Sequence, residues 1–252
     1  MSVRHRPFVF INMAMSADGK VSSVRREQLR ISGARDFDRV DSLRASSDAI
    51  MVGIGTVLAD NPSLTVKSEK RREERKRSGK PENPIRVVVD SEARTPTDAE
   101  VLNRGAGMRI IAVSKRAIVE DVGRLGAKAD TEVVVCGSEE VDLKELLYLL
   151  WQRGVNRLMV EGGGTLNWSL LSQRLVDEVY IYVGNVVIGG DGAPTPVGGP
   201  GFVSEEELIK LELISVDKMD EGVLLKWRVL NHNRNRKGDI IELYETTSRD
   251  KG

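Results

Sequence analysis

Short apolar runs rich in β-branched residues alternate along most of the chain with longer stretches of helical periodicity. The runs that predict strands are Phe8–Ala14, Ala49–Gly53, Ile85–Asp90, Arg109–Ser114, Thr131–Gly137, Arg157–Glu161 and Glu178–Gly190. Strands that are apolar throughout are buried on both faces, as in sheets covered by helices on either side. The alternation therefore predicts an α/β fold with a mainly parallel central sheet and helices on both faces.

Two helices and one hairpin have clear sequence signals. The range Ala34–Asp48 repeats apolar residues at helical spacing, which predicts an amphipathic helix. Another helix is predicted to begin after an N-cap at Asp142 and to end at Gly154. Residues 211–230 alternate in polarity around Asp220-Glu221-Gly222, which predicts a C-terminal antiparallel hairpin.

Charge and composition limit the partners and the domain count. Lysine plus arginine equals aspartate plus glutamate, at 38 each, so the net charge is zero. This balance argues against nucleic acid and anionic membrane as partners. The range 67–84 holds eight positive and three negative residues up to Lys80 and no aromatic residue, so we predict a charged surface loop. Residues 1–230 form one predicted domain, followed by a polar tail at 231–252.

Few residues are available for disulfide, metal or nucleophile chemistry. The single cysteine, Cys136, excludes an internal disulfide framework and fits a reducing compartment. The first 20 residues lack a signal-peptide pattern and no run is long enough to span a bilayer, so a cytoplasmic protein is expected. The only histidines, His5 and His232, lie near the ends, so the spacing predicts no metal site and no Ser-His or Cys-His catalysis.

Three consecutive glycines stand between a predicted strand and a predicted helix in the segment VEGGGTLNWSLL, Val160–Leu171. In open α/β sheets, ligands bind beyond the carboxyl ends of the strands. Residues without side chains let phosphate oxygens approach the backbone, and a helix that begins at Thr165 would favour an anion there. The alternative is a tight turn that needs positive φ and binds nothing. Neither a P-loop nor a Rossmann fingerprint matches this segment.

Two further turns leave two interpretations each. In GIGTVLADNP, Gly53–Pro62, Thr56 is either a ligand contact or a helix N-cap, and Asp60 is either a ligand contact or a turn carboxylate. Asp18-Gly19 forms either a simple hairpin-type turn or part of a lid over a flat ligand.

Five ordered motifs closely resemble the riboflavin-pathway 2,5-diamino-6-ribosylamino-4(3H)-pyrimidinone 5′-phosphate reductases of the stand-alone archaeal and fungal type. The motifs are NMAMSADGK, LRASSDAIMVGIGTVLADNPSLTVK, RVVVDSEARTP, EGGGTLNWSLL and VDEVYIYV…VIGGDGAPT. The resemblance covers the chain from Arg6 to about Leu230. It implies a dihydrofolate-reductase-like fold, a homodimer, and NADPH as hydride donor, with NADH sometimes accepted. The reaction implied is reduction of the ribosylamino sugar at C1 to the ribitylamino product. Bacterial relatives add a zinc deaminase domain, for which this chain lacks the Cys and His ligands.

The resemblance also implies a set of site residues. Those predicted to bind the cofactor are Thr56, Asp60, Val89, Asp90, Ser91, Val135, Gly162, Gly163, Gly164, Thr165 and Leu166. Those predicted to bind the small-molecule substrate are Asn12, Asp18, Arg44, Leu64, Lys67 and Glu161. Arg44 suits a phosphate clamp because a guanidinium fork matches phosphate oxygens, whereas Lys67 stands where the bacterial pattern has arginine. Asp60 and Glu161 are the candidate catalytic residues.

Two other functions stay open at this point. One is a related reductase that acts on dihydrofolate or another pterin. The other is a non-enzymatic nucleotide-binding module, which would use the basic segment to bind nucleic acid. The full run of motifs, with both glycine junctions intact, favours the pathway reductase.

Overall fold

One nine-stranded sheet organises the computed structural model, which describes residues 5–27 and 29–230 of the 252. The strands are β1 Phe8–Met15, β2 Ala49–Gly53, β3 Ile85–Val89, β4 Arg109–Val113, β5 Thr131–Val135, β6 Arg157–Val160, β7 Glu178–Val183, β8 Lys210–Met219 and β9 Gly222–Leu230. Their order is β5-β4-β3-β2-β6-β1-β7-β9-β8. Strands β1 to β7 pair in parallel, and β8 and β9 add an antiparallel hairpin at one edge.

Helices cover both faces of this sheet. They are α1 Ala34–Ser46, α2 Ile54–Asp60, α3 Glu69–Arg77, α4 Glu100–Asn103, α5 Val119–Gly126, α6 Leu143–Gln152 and α7 Gly164–Ser172. On one face, α6 and α7 bury their leucines in a first core cluster. On the other, residues of α1, α2, α4 and α5 pack into or against a second cluster. The α/β architecture with a mainly parallel sheet is therefore confirmed, and so is the N-cap Asp142, which accepts from two N–H groups of α6.

The C-terminal hairpin is confirmed, and its turn also caps a helix. Asp220, at φ 49°, turns the chain between β8 and β9. Its carboxylate accepts hydrogen bonds from the N–H groups of Arg35 (3.2 Å) and Asp36 (3.0 Å). The hairpin thus supplies the N-terminal cap that α1 lacks from its own Gly33.

The predicted strand Glu178–Gly190 is too long. Strand β7 ends at Val183, and the backbone of Ile31 lies against the next residue, Gly184. A side chain at Gly184 would meet the Ile31 carbonyl oxygen at 2.4 Å. After Gly184 the chain forms a loop that contains glycine and proline residues.

The sequence predicted a loop over the charged segment 67–84. This prediction is wrong, because the segment contains the helix α3. Ser68 caps it by accepting from Arg71 N–H. Arg75 is only 5% exposed and donates to the carbonyls of Ala45 (2.7 Å), Ser47 (2.8 Å) and Pro81 (2.8 Å). The helix is therefore fixed by hydrogen bonds from a buried arginine rather than by an apolar stripe.

Two further sequence predictions concern the C-terminal tail and membrane-spanning segments. The polar tail at 231–252 lies outside the described residues. Within the part of the chain that the structure describes, no helix has the length and apolar character needed to cross a membrane.

Candidate active site

A cleft of about 2000 Å³ opens at the carboxyl ends of the parallel strands. At its centre, β2 and β6 run side by side into their following loops. Gly53 N–H donates to the carbonyl of Gly162 (3.0 Å), and Glu161 N–H donates to the carbonyl of Met51 (2.9 Å). These bonds bring the two glycine-bearing junctions of the sequence together, at the end of the sheet where α/β proteins bind ligands.

The three consecutive glycines are required for different reasons. Gly162 has φ +104°, a conformation that favours glycine. A Cβ on Gly163 would lie 3.1 Å from Thr56 Oγ1, and a Cβ on Gly164 would lie 3.0 Å from the Thr195 carbonyl oxygen. Helix α7 begins here without a side-chain cap. The first N–H groups of any helix have no intrahelical acceptor, and here no side chain caps them either, so they are suited to an anion.

Helix α2 supplies the neighbouring wall of the cleft. The N-cap of α2 is Gly53, and Thr56 is the third helical residue, so the interpretation of Thr56 as an N-cap is wrong. Instead its hydroxyl faces the glycine cluster. Asp60 ends α2 on the cleft wall, where desolvation by the surrounding protein raises the pKa of its carboxyl although solvent still reaches it.

Arg44 and Glu161 form a nearly buried ion pair across the cleft floor. Arg44 Nε and Nη2 donate to the two carboxylate oxygens of Glu161, each at 2.7 Å, and Nη1 donates to the carbonyl of Thr65 at 3.2 Å. Burial acts to lower the pKa of Arg44, but the carboxylates of Glu161 and Asp41 together outweigh it and the pKa is raised. The guanidinium fork is therefore engaged by a carboxylate. Three of the five N–H donors are used, which leaves two for a ligand.

Lys67 lies beside this pair. Its Nζ donates to Ser63 Oγ (2.6 Å) and Thr65 Oγ1 (3.0 Å). Burial and the positive charge of Arg44 lower the pKa of Lys67. The two cations form a basic patch beside the carboxylates of Glu161 and Asp41, and an anionic group would stabilise it.

Most predicted site residues line the cleft. They are Asn12, Arg44, Thr56, Asp60, Lys67, Val89, Ser91, Glu161, Gly162, Gly163, Gly164, Thr165 and Leu166.

Asp18, Leu64, Asp90 and Val135 do not line it. Asp18 accepts from Ser16 Oγ (2.6 Å) and from two backbone N–H groups of the loop after β7, and these bonds lower its pKa to about 2. Leu64 is 1% exposed within the second core cluster. Asp90 is fully buried and accepts from the N–H and hydroxyl of Thr95, whereas Val135 lies half-exposed on the edge strand β5. Direct ligand contacts from these four are not supported by their positions.

The sequence reasoning missed two arginines on the cleft wall. Arg94 and Arg116 lie in the loops that follow β3 and β4. Both pair with Glu92, at 3.5 and 3.4 Å, and both are more than half exposed. Their position a few residues beyond two predicted strand ends was the available signal.

Comparison with known proteins identifies the family. The model of the RibD C-terminal domain family matches residues 7–225. The chain belongs to this family. It is 54% identical over 209 residues to the 2,5-diamino-6-ribosylamino-4(3H)-pyrimidinone 5′-phosphate reductase of Archaeoglobus fulgidus, which covers 83% of this chain and 94% of that protein. The protein of the same name from Methanothermobacter thermautotrophicus is 44% identical, over 89% of this chain and 99% of its own length. The resemblance inferred from the five motifs is confirmed.

Solved structures share the fold. RibD of Acinetobacter baumannii superposes with a TM-score of 0.71 at 25% identity over 90% of this chain, which spans 59% of that longer protein. The riboflavin biosynthesis reductase Rib7 of Saccharomyces cerevisiae gives 0.65 at 23% identity, over 91% of this chain and 93% of its own, and shows likeness of fold alone.

Proposed function

We propose that this chain reduces 2,5-diamino-6-ribosylamino-4(3H)-pyrimidinone 5′-phosphate to its ribitylamino product with NADPH. One observation carries the proposal. The glycine cluster at the start of α7 and the Arg44–Glu161 pair meet in one cleft. The identity of the substrate is taken from the names of the two archaeal relatives, which state it. The volume of about 2000 Å³ suits two ligands at once, since a pocket for one small molecule is about 300–1,000 Å³.

The residues at the glycine junction fit a nicotinamide dinucleotide. The bare backbone from Gly162 to Gly164 and the uncapped start of α7 suit a pyrophosphate, and Thr56 adds a hydroxyl beside them. The Ser91 hydroxyl accepts from Val141 N–H and keeps its own proton for a ligand oxygen. When bound, this cofactor supplies the hydride.

The basic patch of Arg44 and Lys67 suits the substrate phosphate, and the cleft aligns the sugar with the cofactor site. Ring opening of the ribosylamine needs proton transfer. Both oxygens of Glu161 accept from Arg44, so we assign Glu161 to positioning. Asp60 has no such partner among the described residues and has a raised pKa, so we assign proton donation to Asp60.

The test follows NADPH absorbance with the ribosylaminopyrimidinone phosphate in one cuvette and dihydrofolate in another. Oxidation with the first alone supports the proposal. Oxidation with dihydrofolate would replace it with a pterin reductase, and NADPH binding without turnover would favour a nucleotide-binding module. Repeating the assay with NADH tests the cofactor preference. The guanidinium groups of Arg94 and Arg116 favour the extra phosphate of NADPH, because their ion pairs with Glu92 leave further N–H donors on each.

Replacing Asp60 by asparagine is expected to lower kcat by about 100-fold, because the amide keeps the shape but cannot donate the proton. In the wild type, kcat should fall as the pH rises through the pKa of Asp60, since the protonated form is the donor. The pH profile of the variant should lose this limb. Full turnover in the Asp60→Asn variant, with unchanged NADPH affinity, would assign the donor elsewhere.

We also infer a cytoplasmic homodimer. Strand β8 is an edge strand with exposed apolar side chains at Leu211, Leu213, Ile214 and Val216. Such an edge is a surface for pairing with another chain. Light scattering would show twice the chain mass, and a monomer at micromolar concentration would refute the dimer.

A further inference from the structure

Arg86, the second residue of β3, is fully buried and is bonded to the loop that connects α4 to β4. Its Nη1 donates to the carbonyl of Arg104, and its Nη2 donates to the carbonyls of Gly105 (3.2 Å), Ala106 (3.2 Å) and Gly107 (3.0 Å). These four partners are neutral oxygens, so none of them balances the charge of the arginine. Burying a cation in such surroundings is costly, and the position of the loop that it holds therefore calls for an explanation.

The 104–107 loop packs against Thr65, which contacts both cations of the basic patch. Gly105 has φ +70°, and a Cβ there would lie 2.9 Å from Thr65 Cγ2. On its other sides, the carbonyl of Thr65 accepts from Arg44 Nη1 (3.2 Å), and its hydroxyl accepts from Lys67 Nζ (3.0 Å). Because the loop approaches so closely, a change in its position would reach Thr65 and, through it, both cations.

Asn83 makes a second connection between the loop and the residues beside Thr65. It is 2% exposed, and its Nδ2 donates to the carbonyl of Ala106 (3.0 Å). Its Oδ1 accepts from the N–H group of Val66 (2.9 Å). The loop and the backbone next to Thr65 are therefore held together by a buried amide as well as by direct packing.

The charge carried by the loop also acts on the basic patch. Burial, then Arg44 and then Arg104 lower the pKa of Lys67, whereas the carboxylates of Glu100 and Asp41 oppose them. Arg104 itself pairs with Glu100 at 3.0 Å. The first residue of the loop thus lies within electrostatic reach of Lys67.

We propose that Arg86 is a positioning residue for the substrate phosphate, because it holds the 104–107 loop against Thr65 and so fixes the two cations of the basic patch. This inference rests on the proposed function. Arg86 is fully buried and outside the cleft lining, so it acts through the loop and touches no ligand. Two cations bind a phosphate well only at a fixed spacing, so loosening Thr65 should weaken recognition of the phosphate and spare the cofactor site.

The direct test is the Arg86→Lys variant, which keeps the positive charge but replaces the planar fork by a single ammonium group. The measurement is the ratio of kcat/KM for the ribosylaminopyrimidinone phosphate to kcat/KM for the same compound without its phosphate. This ratio should fall about tenfold, the effect of weakening one charge-assisted hydrogen bond. The Kd for NADPH, measured by fluorescence without substrate, should not change.

Gly105→Ala is a second variant, which leaves Arg86 in place and moves Thr65 by adding a Cβ. The same ratio should fall, and this variant decides the question if the lysine variant does not fold. Gly154→Ala is the matched control. Gly154 is also exposed and has φ +82°, but a Cβ there meets no atom within 4 Å, and it lies just after α6, outside the cleft lining. It should lose melting temperature through the same kind of backbone strain and keep the ratio of the wild type.

Two results would overturn the proposal. An unchanged ratio in the folded Arg86→Lys and Gly105→Ala variants, with lowered melting temperatures, would make the arginine purely structural. A fall of the ratio in Gly154→Ala as well would show that any loosening of the fold lowers it.

A wild type that reduces neither compound would refute the proposed function, and calorimetry with ribose 5-phosphate, the sugar phosphate of the proposed substrate, would then decide the role of Arg86. A Kd about tenfold higher in Arg86→Lys and Gly105→Ala, but not in Gly154→Ala, would support positioning of the patch. Equal Kd values in all four proteins would overturn it.

Discussion

Replacing Arg44 by methionine is expected to lower kcat/KM by about 100-fold and the free energy of unfolding by about 3 kcal/mol. Stability is lost because the partner of Arg44, Glu161, is nearly buried. Arg44 and Glu161 are 16% and 13% exposed, so removing the guanidinium leaves a carboxylate without its counter-ion in a poorly solvated place. The basic patch for the substrate phosphate loses one of its two cations at the same time. Urea unfolding and steady-state kinetics measure the two effects separately.

A double variant separates stability from activity. Arg44→Met combined with Glu161→Leu removes both charges, and replacing a buried ion pair by apolar residues of similar volume is often neutral for stability. The double variant should therefore recover most of the lost unfolding free energy while staying inactive. Recovery of kcat/KM as well would show that the pair is only structural.

The control for this experiment is an exposed ion pair on α3, outside the cleft lining. Lys76 and Glu73 pair at 2.5 Å but are 48% and 45% exposed. Because solvent screens exposed pairs, Lys76→Met should leave the free energy of unfolding nearly unchanged and kcat/KM unchanged.

The sheet could be predicted from the sequence because parallel strands buried on both faces are continuous apolar runs. Ala49–Gly53 was predicted and observed with the same bounds. Helix α3 could not be predicted in the same way. Its residues form no apolar stripe, and it is fixed by Ser68 and by hydrogen bonds from Arg75 to carbonyls that lie about thirty positions earlier in the chain. The spacing of apolar residues along the chain does not predict such contacts.

The candidate site was predictable to a similar extent. The glycine junctions have a local signal, because a strand, a bare turn and a helix follow one another in sequence. The pairing of Arg44 with Glu161 joins residues 117 positions apart, and spacing does not predict it. Likewise, the bonds that turn Asp18 towards the loop at Ile188 depend on a fold that only the structure shows.

Replacing Gly164 by alanine is expected to weaken NADPH binding by more than about tenfold and to lower the unfolding free energy by about 1–3 kcal/mol. A Cβ there would lie 3.0 Å from the Thr195 carbonyl oxygen and 3.1 Å from Gly198 N. Both are backbone atoms, and Gly198 N–H donates to the Gly164 carbonyl (3.0 Å), so the loop must move away from α7. The first turn of α7, which we assign to the pyrophosphate, would move with it. Fluorescence titration with NADPH measures this loss.

Gly123→Ala provides the matched control, because Gly123 lies within α5, away from the cleft lining, and a Cβ there meets no atom within 4 Å. Alanine is a better helix former than glycine, so this variant should gain about 0.5–1 kcal/mol and keep the NADPH Kd. The comparison distinguishes the two original interpretations of the glycine cluster. If Gly164→Ala loses stability but binds NADPH as the wild type does, the glycines serve only the close packing of a turn. If the Kd rises as expected, their bare backbone is the surface that the cofactor contacts.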